Sequence, residues 1–237
     1  MKNKIIICAI SSSILIISIF LNLCCSKDSI FASSKYNTSP KIILDAGHGG
    51  FDGGAVANDG TVEKDINLKI TLYLYDILSN SGYNVLLTRS VDTGTEDDSK
   101  TNISSRKRSD MKNRLKLMQD NKDGIFVSIH LNKFTTSAAR GSQVFYSGND
   151  ENSKLLGDSI QNSIISILQK DNSRVNKKAT SSTYLLYNAT IPAVLVECGF
   201  LSNKNELEML KSEDYQKKIA FCIFCGINNY YSNVKEI

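Results

Sequence analysis

From residue 41 onward the chain alternates two kinds of apolar pattern. Short, nearly continuous apolar runs at 41–45, 83–88, 125–130, 142–146 and 193–197 predict strands, and Tyr184-Leu185-Leu186 predicts one more short strand. Between these runs, apolar residues recur at intervals of three and four. Ile66, Ile70, Tyr73, Leu74 and Ile77 predict a helix over 63–79, and Met111, Leu115 and Met118 predict a charged helix over 104–119. Similar spacing predicts helices over 153–169, 203–211 and 215–231. The polar stretch 90–101 reads as a loop, and Gly82 separates the first helix from the strand after it. Strands that are apolar throughout must be covered on both faces. The alternation therefore predicts an α/β fold, a three-layer domain over 41–235 with a mostly parallel central sheet flanked by helices.

The N-terminus follows another pattern. Lys2 and Lys4 precede an apolar run over 5–25, broken only by serines and Asn22. As a helix this run spans about 30 Å, one hydrocarbon core. Residues 1–33 are therefore expected to be a signal peptide or an uncleaved membrane anchor, with membrane contact through 5–25 in the second case. Ala32 and Ser33 offer a cut without a clean A-x-A pattern. Lipid attachment at Cys24 or Cys25 fits poorly with the preceding Leu21-Asn22-Leu23. Residues 34–40 read as a polar linker.

Charge changes little. The formal net charge is +4, and Lys2, Lys4 and Lys27 of the leader supply much of it, so no nucleic-acid partner is expected. Outside the leader only Cys198, Cys222 and Cys225 remain, an odd number and no disulfide framework. Cys222 and Cys225 have redox-motif spacing, but they lie in an apolar helical pattern and read as core residues.

The chemistry is concentrated in few residues. The chain has 2 histidines, His48 and His130, and each falls at or just past the end of a predicted strand. Ligands of open parallel sheets bind at the carboxyl ends of strands, so two histidines distant in sequence can meet there. A catalytic zinc takes three protein ligands from His, Asp or Glu and keeps one position open. Glu63 is the third candidate, because it opens a helix and lies on the stripe of Ile66, Asn67 and Ile70 that faces the sheet. Its alternative role is a carboxylate favoured by the helix dipole, and Asp45 and Asp52 are rival ligands. The loop around His48 is rich in glycine but lacks the Lys-Ser/Thr of a phosphate loop. Glu197 ends an apolar strand, where desolvation raises a carboxylate's pKa towards the range of a general acid or base. Its alternative is an ion pair with Arg89, Arg106 or Arg114.

Six segments in order, KIILDAGHGGFDGGA, VEKDINL, GYNVLLTR, SDMKNRLKLMQ, IFVSIHLN and PAVLVECGFLSN, resemble the zinc-dependent N-acetylmuramoyl-L-alanine amidase family, the amidase type 3 catalytic domain. The resemblance runs from about Lys41 to Tyr231. It implies one Zn2+ held by His48, Glu63 and His130, with Glu197 as the catalytic carboxylate. It implies peptidoglycan as substrate, cut at the amide between the lactyl group of muramic acid and L-alanine. The segments SSRKRSDMKNRLKLM and FCIFCGINNYY are most like the CwlD-type spore cortex members of the family. That likeness implies export to the cell wall or the forespore intermembrane space, a part in forming muramic δ-lactam, and room for an accessory protein partner. Leu131 before Asn132 departs from the small residue found there in many members. Asn67, one turn after Glu63, is expected to orient a metal ligand.

Three other readings remain. A vegetative autolysin of the same family would use the same site. Zinc carboxypeptidases share the residue types, but their first two ligands are spaced His-x-x-Glu, far closer than His48 and Glu63. A wall-binding protein with a vestigial site would need no metal.

Overall fold

The computed structural model describes residues 41–234. The leader, the linker and the cysteines of the leader lie outside the described residues.

The strands are β1 (Lys41–Ala46), β2 (Asn84–Leu87), β3 (Gly124–Asn132), β4 (Gln143–Tyr146), β5 (Lys177–Lys178) and β6 (Ala193–Phe200). The helices are α1 (Glu63–Asn80), α2 (Ile103–Gln119), α3 (Glu151–Ile167), α4 (Tyr184–Tyr187), α5 (Lys204–Lys211) and α6 (Glu213–Val234). They build one six-stranded sheet in the order β2-β1-β3-β6-β4-β5. β2, β1, β3 and β6 are mutually parallel, and β4 runs antiparallel to β6. The α/β class and the mostly parallel sheet are as the apolar pattern predicts.

Each central strand sends alternate residues to opposite faces. Ile42, Leu44, Val127, Ile129, Val194 and Val196 meet α1, α3 and α6 on one side. Ile43, Phe126 and Ala193 meet Leu115 and Met118 of α2 and Leu185 and Leu186 of α4 on the other. This double coverage is why the strands read as unbroken apolar runs. The helix starts are fixed by side chains: Asn102 accepts from Ser105 N, Asp150 from Asn152 N, and Asn203 from Asn205 N and Glu206 N. No described helix is long and apolar enough to cross a membrane.

One expected strand is a helix. Tyr184–Tyr187 forms the single turn α4, with Leu185 and Leu186 buried against the sheet. A short apolar run satisfies either geometry, and here its own turn supplies bonds such as Tyr187 N to Thr183 O at 2.9 Å. The edge strand β5 gave no apolar signal because both its residues are exposed lysines, which also discourages pairing with another chain. Cys198, Cys222 and Cys225 are free thiols, the first two buried, as expected of core residues.

Candidate metal centre

The three strands that neighbour one another at the middle of the sheet carry the chemistry at their carboxyl ends. His48 follows β1, His130 lies on β3, and Glu197 lies on β6 directly opposite His130 in the ladder. Glu63 is the first residue of α1 and approaches from the helical layer above that edge.

These placements bring the two imidazoles to 4.9 Å between centroids, edge to face at 77°. The Glu63 carboxylate stands between them: Oε2 is 3.3 Å from His48 Nε2 and Oε1 is 3.0 Å from His130 Nδ1. One ligand atom from each of the three lies within 4.8 Å of the others, a spacing that could hold a metal ion. The rest of the surroundings fit that use. Two imidazoles and one carboxylate make a donor set that leaves a tetrahedral ion one open position. Two glycines make room for it. A Cβ at Gly47 would lie 2.3 Å from the His130 ring, and one at Gly54 (φ +71) would lie 2.6 Å from Glu63 Oε2 and His48 Cδ2. Backbone and side chains therefore close around the three donors and leave no space for larger residues.

Each donor is held from behind. Asp52, a rival ligand in the sequence, instead sits 3.0 Å from His48 Nδ1, which leaves Nε2 to face Glu63. Ala55 N donates to Glu63 Oε2 at 2.8 Å, and Leu131 N donates to Oε1 at 3.0 Å. Leu131 N is free to do so because it points to the β1 side of β3, where β1 has ended at Ala46 and the last bond of that ladder is Gly47 N to Ile129 O at 3.1 Å. The Leu131 side chain goes to the opposite face and is buried there. Asn67 donates through Nδ2 to Glu63 Oε1 and to Gly47 O, both at 3.2 Å.

The electrostatics follow from these contacts. Burial disfavours the charged form of His48, but the Asp52 and Glu63 carboxylates outweigh it and raise its pKa to about 9. Burial likewise opposes ionisation of Glu63, yet the His130 and His48 imidazoles hold its carboxyl well below the usual range. Glu197 behaves oppositely. Burial lifts its pKa to about 7, helped by the Glu63 charge and only partly countered by His130. Its Oε2 is enclosed and has no hydrogen-bond partner among the described residues.

The alternative ion pair for Glu197 does not form. Arg106 binds Glu96, Arg114 binds Asp45 and Asp110, and Arg89 binds backbone carbonyls. Asp45, the other rival ligand, is fully buried and neutralised by Arg114, with Ser128 and Thr88 donating to it. Beside the centre a cleft of about 350 Å³ opens on His48 and His130, walled by Met111, Phe126, Leu185 and Leu195. Lys107 stands at its rim, 3.0 Å from Asp52. Lys107 has no distinguishing mark in the sequence, since α2 carries basic residues along much of its length.

The profile of the N-acetylmuramoyl-L-alanine amidase family matches residues 42–229. The chain belongs to that family. It is a peptidoglycan amidase. It is 36% identical over 199 residues to the germination-specific N-acetylmuramoyl-L-alanine amidase of Bacillus subtilis, covering 82% of this chain and 81% of the relative. The CwlD amidase of Clostridioides difficile, solved in complex with the GerS lipoprotein, superposes with a TM-score of 0.79 at 42% identity, covering 82% of this chain and 99% of that one. The Bacillus subtilis amidase LytC is 31% identical over 192 residues, which cover 80% of this chain but 35% of that relative.

Proposed function

We propose that this amidase binds one zinc ion through His48, Glu63 and His130 and uses Glu197 to move the proton in hydrolysis of the amide between muramic acid and L-alanine. The observation that carries this reading is the enclosed Glu197 Oε2, without a partner and on the strand next to His130. A buried acceptor left unpaired costs stability, of order 1–3 kcal/mol. It is retained where a reacting group supplies the missing partner.

When bound, zinc supplies Lewis acidity, which acidifies a water at the site and polarises a carbonyl. The protein's own residues do the rest. Glu197, with a pKa close to neutral in its own surroundings, takes the proton of the attacking water. It then delivers that proton to the departing L-alanine nitrogen, without which the leaving group would be a strongly basic amide anion. Asp52 and Asn67 keep His48 and Glu63 oriented while this happens. The apolar walls of the neighbouring cleft exclude water from one side of the reacting bond.

The biological setting follows the relatives. Likeness to a germination-specific amidase and to the CwlD amidase supports a role in spore cortex maturation, with export of the chain and formation of muramic δ-lactam. The complex of CwlD with the GerS lipoprotein supports an accessory partner of similar kind for this chain.

Digestion of purified peptidoglycan, followed by mass analysis, tests the reaction. The expected products are intact stem peptides that begin with L-alanine, absent with Glu197→Ala. Release of single terminal residues would instead indicate a carboxypeptidase. The cortex role is tested in a Bacillus subtilis strain lacking its germination-specific amidase, where this chain is expected to restore muramic δ-lactam.

A further inference from the structure

Two arginines near the centre have no part in the reaction just described. Arg89 and Arg114 are 4% and 1% exposed, and neither reaches Glu197 or a ligand atom. Their guanidinium groups instead converge on three consecutive carbonyls of the loop that carries His48. Arg89 Nε and Arg114 Nη1 both donate to Ala46 O, at 2.9 and 3.0 Å. Arg89 Nη2 donates to Gly47 O at 3.1 Å, and Arg114 Nη2 donates to His48 O at 2.7 Å.

The loop needs such support. His48 has φ +63, and among the described residues it alone combines a side chain with positive φ. That conformation is strained for a residue with a side chain and persists only where the surroundings impose it. Arg89 also extends beyond the loop. The same Nη2 that donates to Gly47 O donates to Lys64 O at 2.9 Å, the residue next to Glu63. One guanidinium therefore ties the segment bearing His48 to the helix start bearing Glu63. Gly47 in turn is the surface on which the His130 ring rests, since a Cβ there would touch it. Fixing Gly47 thus constrains all three donors.

We propose that Arg89 and Arg114 are positioning residues for the metal centre, setting the separation of His48, Glu63 and His130 through the backbone rather than through the ligands' side chains. The inference rests on the metal-binding reading above. The planar fork of arginine matters here, because lysine keeps the charge but cannot donate to several carbonyls in fixed directions. Changes at groups behind metal ligands typically cost about 10- to 100-fold in affinity.

The test compares the full chain with Arg89→Lys, Arg114→Lys and the core control Met118→Ala, whose side chain is buried on α2 in the apolar cluster of Ile43, Leu115 and Phe126. Zinc affinity is measured by competition with a chromophoric chelator. The visible spectrum of the cobalt-loaded protein reports donor geometry, and the melting temperature of metal-free protein reports stability. The expected result is a 10- to 100-fold weaker zinc affinity and an altered cobalt spectrum in both lysine variants. Met118→Ala should keep the wild-type affinity and spectrum despite a lower melting temperature. Arg89→Lys is the safer variant, because its hydrogen bonds go only to backbone carbonyls and its loss leaves no paired carboxylate behind. It decides the matter if Arg114→Lys does not fold. Lysine variants with wild-type affinity and spectrum would overturn the proposal while leaving the metal reading intact. Failure of the wild-type chain to bind zinc at all would overturn both.

Discussion

Glu197 and Gly47 are the residues whose replacement separates chemistry from binding. Glu197→Gln preserves shape but removes the proton acceptor. Its expected effect is a loss of about 10²- to 10⁴-fold in kcat with metal content unchanged, measured by turnover and by metal analysis of the same sample. Gly47→Ala acts the other way. Its Cβ would come within 2.3 Å of the His130 ring, so metal binding should be lost while the circular dichroism spectrum stays native. At this scale the sequence was legible where residue types were scarce. With 2 histidines in the chain, both at strand ends, the candidate pair stood out. Asp52 was ambiguous because a carboxylate four residues from a histidine can serve as ligand or as orienter. Only the 3.0 Å contact with His48 Nδ1 separates the two roles. The alternative of an Arg89, Arg106 or Arg114 partner for Glu197 stays open in the sequence, since the reach of a long side chain is decided by tertiary contacts that no local pattern records.

The elements were legible where periodicity ran long. α1, α2, α3 and α6 are amphipathic over several turns, and their apolar stripes match the buried faces. Two very short segments were not legible. Tyr184–Tyr187 contains too few residues to distinguish a period of two from one of 3.6, and β5 is defined only by its pairing with β4. The register shift after His130 leaves no mark in the sequence either. Caps, by contrast, act locally. Asn102 accepts from Ser105 N at 2.8 Å, so Asn102→Ala should destabilise the protein by about 1 kcal/mol in chemical denaturation.

For the whole molecule, the buried pair of Asp45 and Arg114 joins β1 to α2, with Ser128 of β3 as a further donor to the carboxylate. Burial alone would raise the Asp45 pKa, but Arg114, Ser128 and Thr88 hold it below the ordinary 3.8. A depressed carboxylate contributes stability that is fully present above its unfolded value and is lost as pH falls through its folded value. The wild-type chain should therefore keep this contribution at pH 5 and lose it only below about pH 3.8. Asp45→Asn leaves Arg114 with Asp110 as its remaining charge partner and should cost about 1–3 kcal/mol at neutral pH. The loss relative to wild type should shrink as the pH falls below 4, as read from denaturation midpoints across pH. The same pair supports the loop that carries His48, through Arg114 Nη2 to His48 O at 2.7 Å, so the stability of the domain and the shape of the candidate centre share one support.

Anomalous diffraction at the zinc edge, on crystals of the wild-type chain grown with zinc, addresses the centre most directly. The account predicts one strong peak about 2.0–2.2 Å from a nitrogen of His48, a nitrogen of His130 and an oxygen of Glu63, with the Glu197 carboxylate facing it but not bound. A peak held by other residues, or Glu197 found as a ligand in place of Glu63, would contradict it.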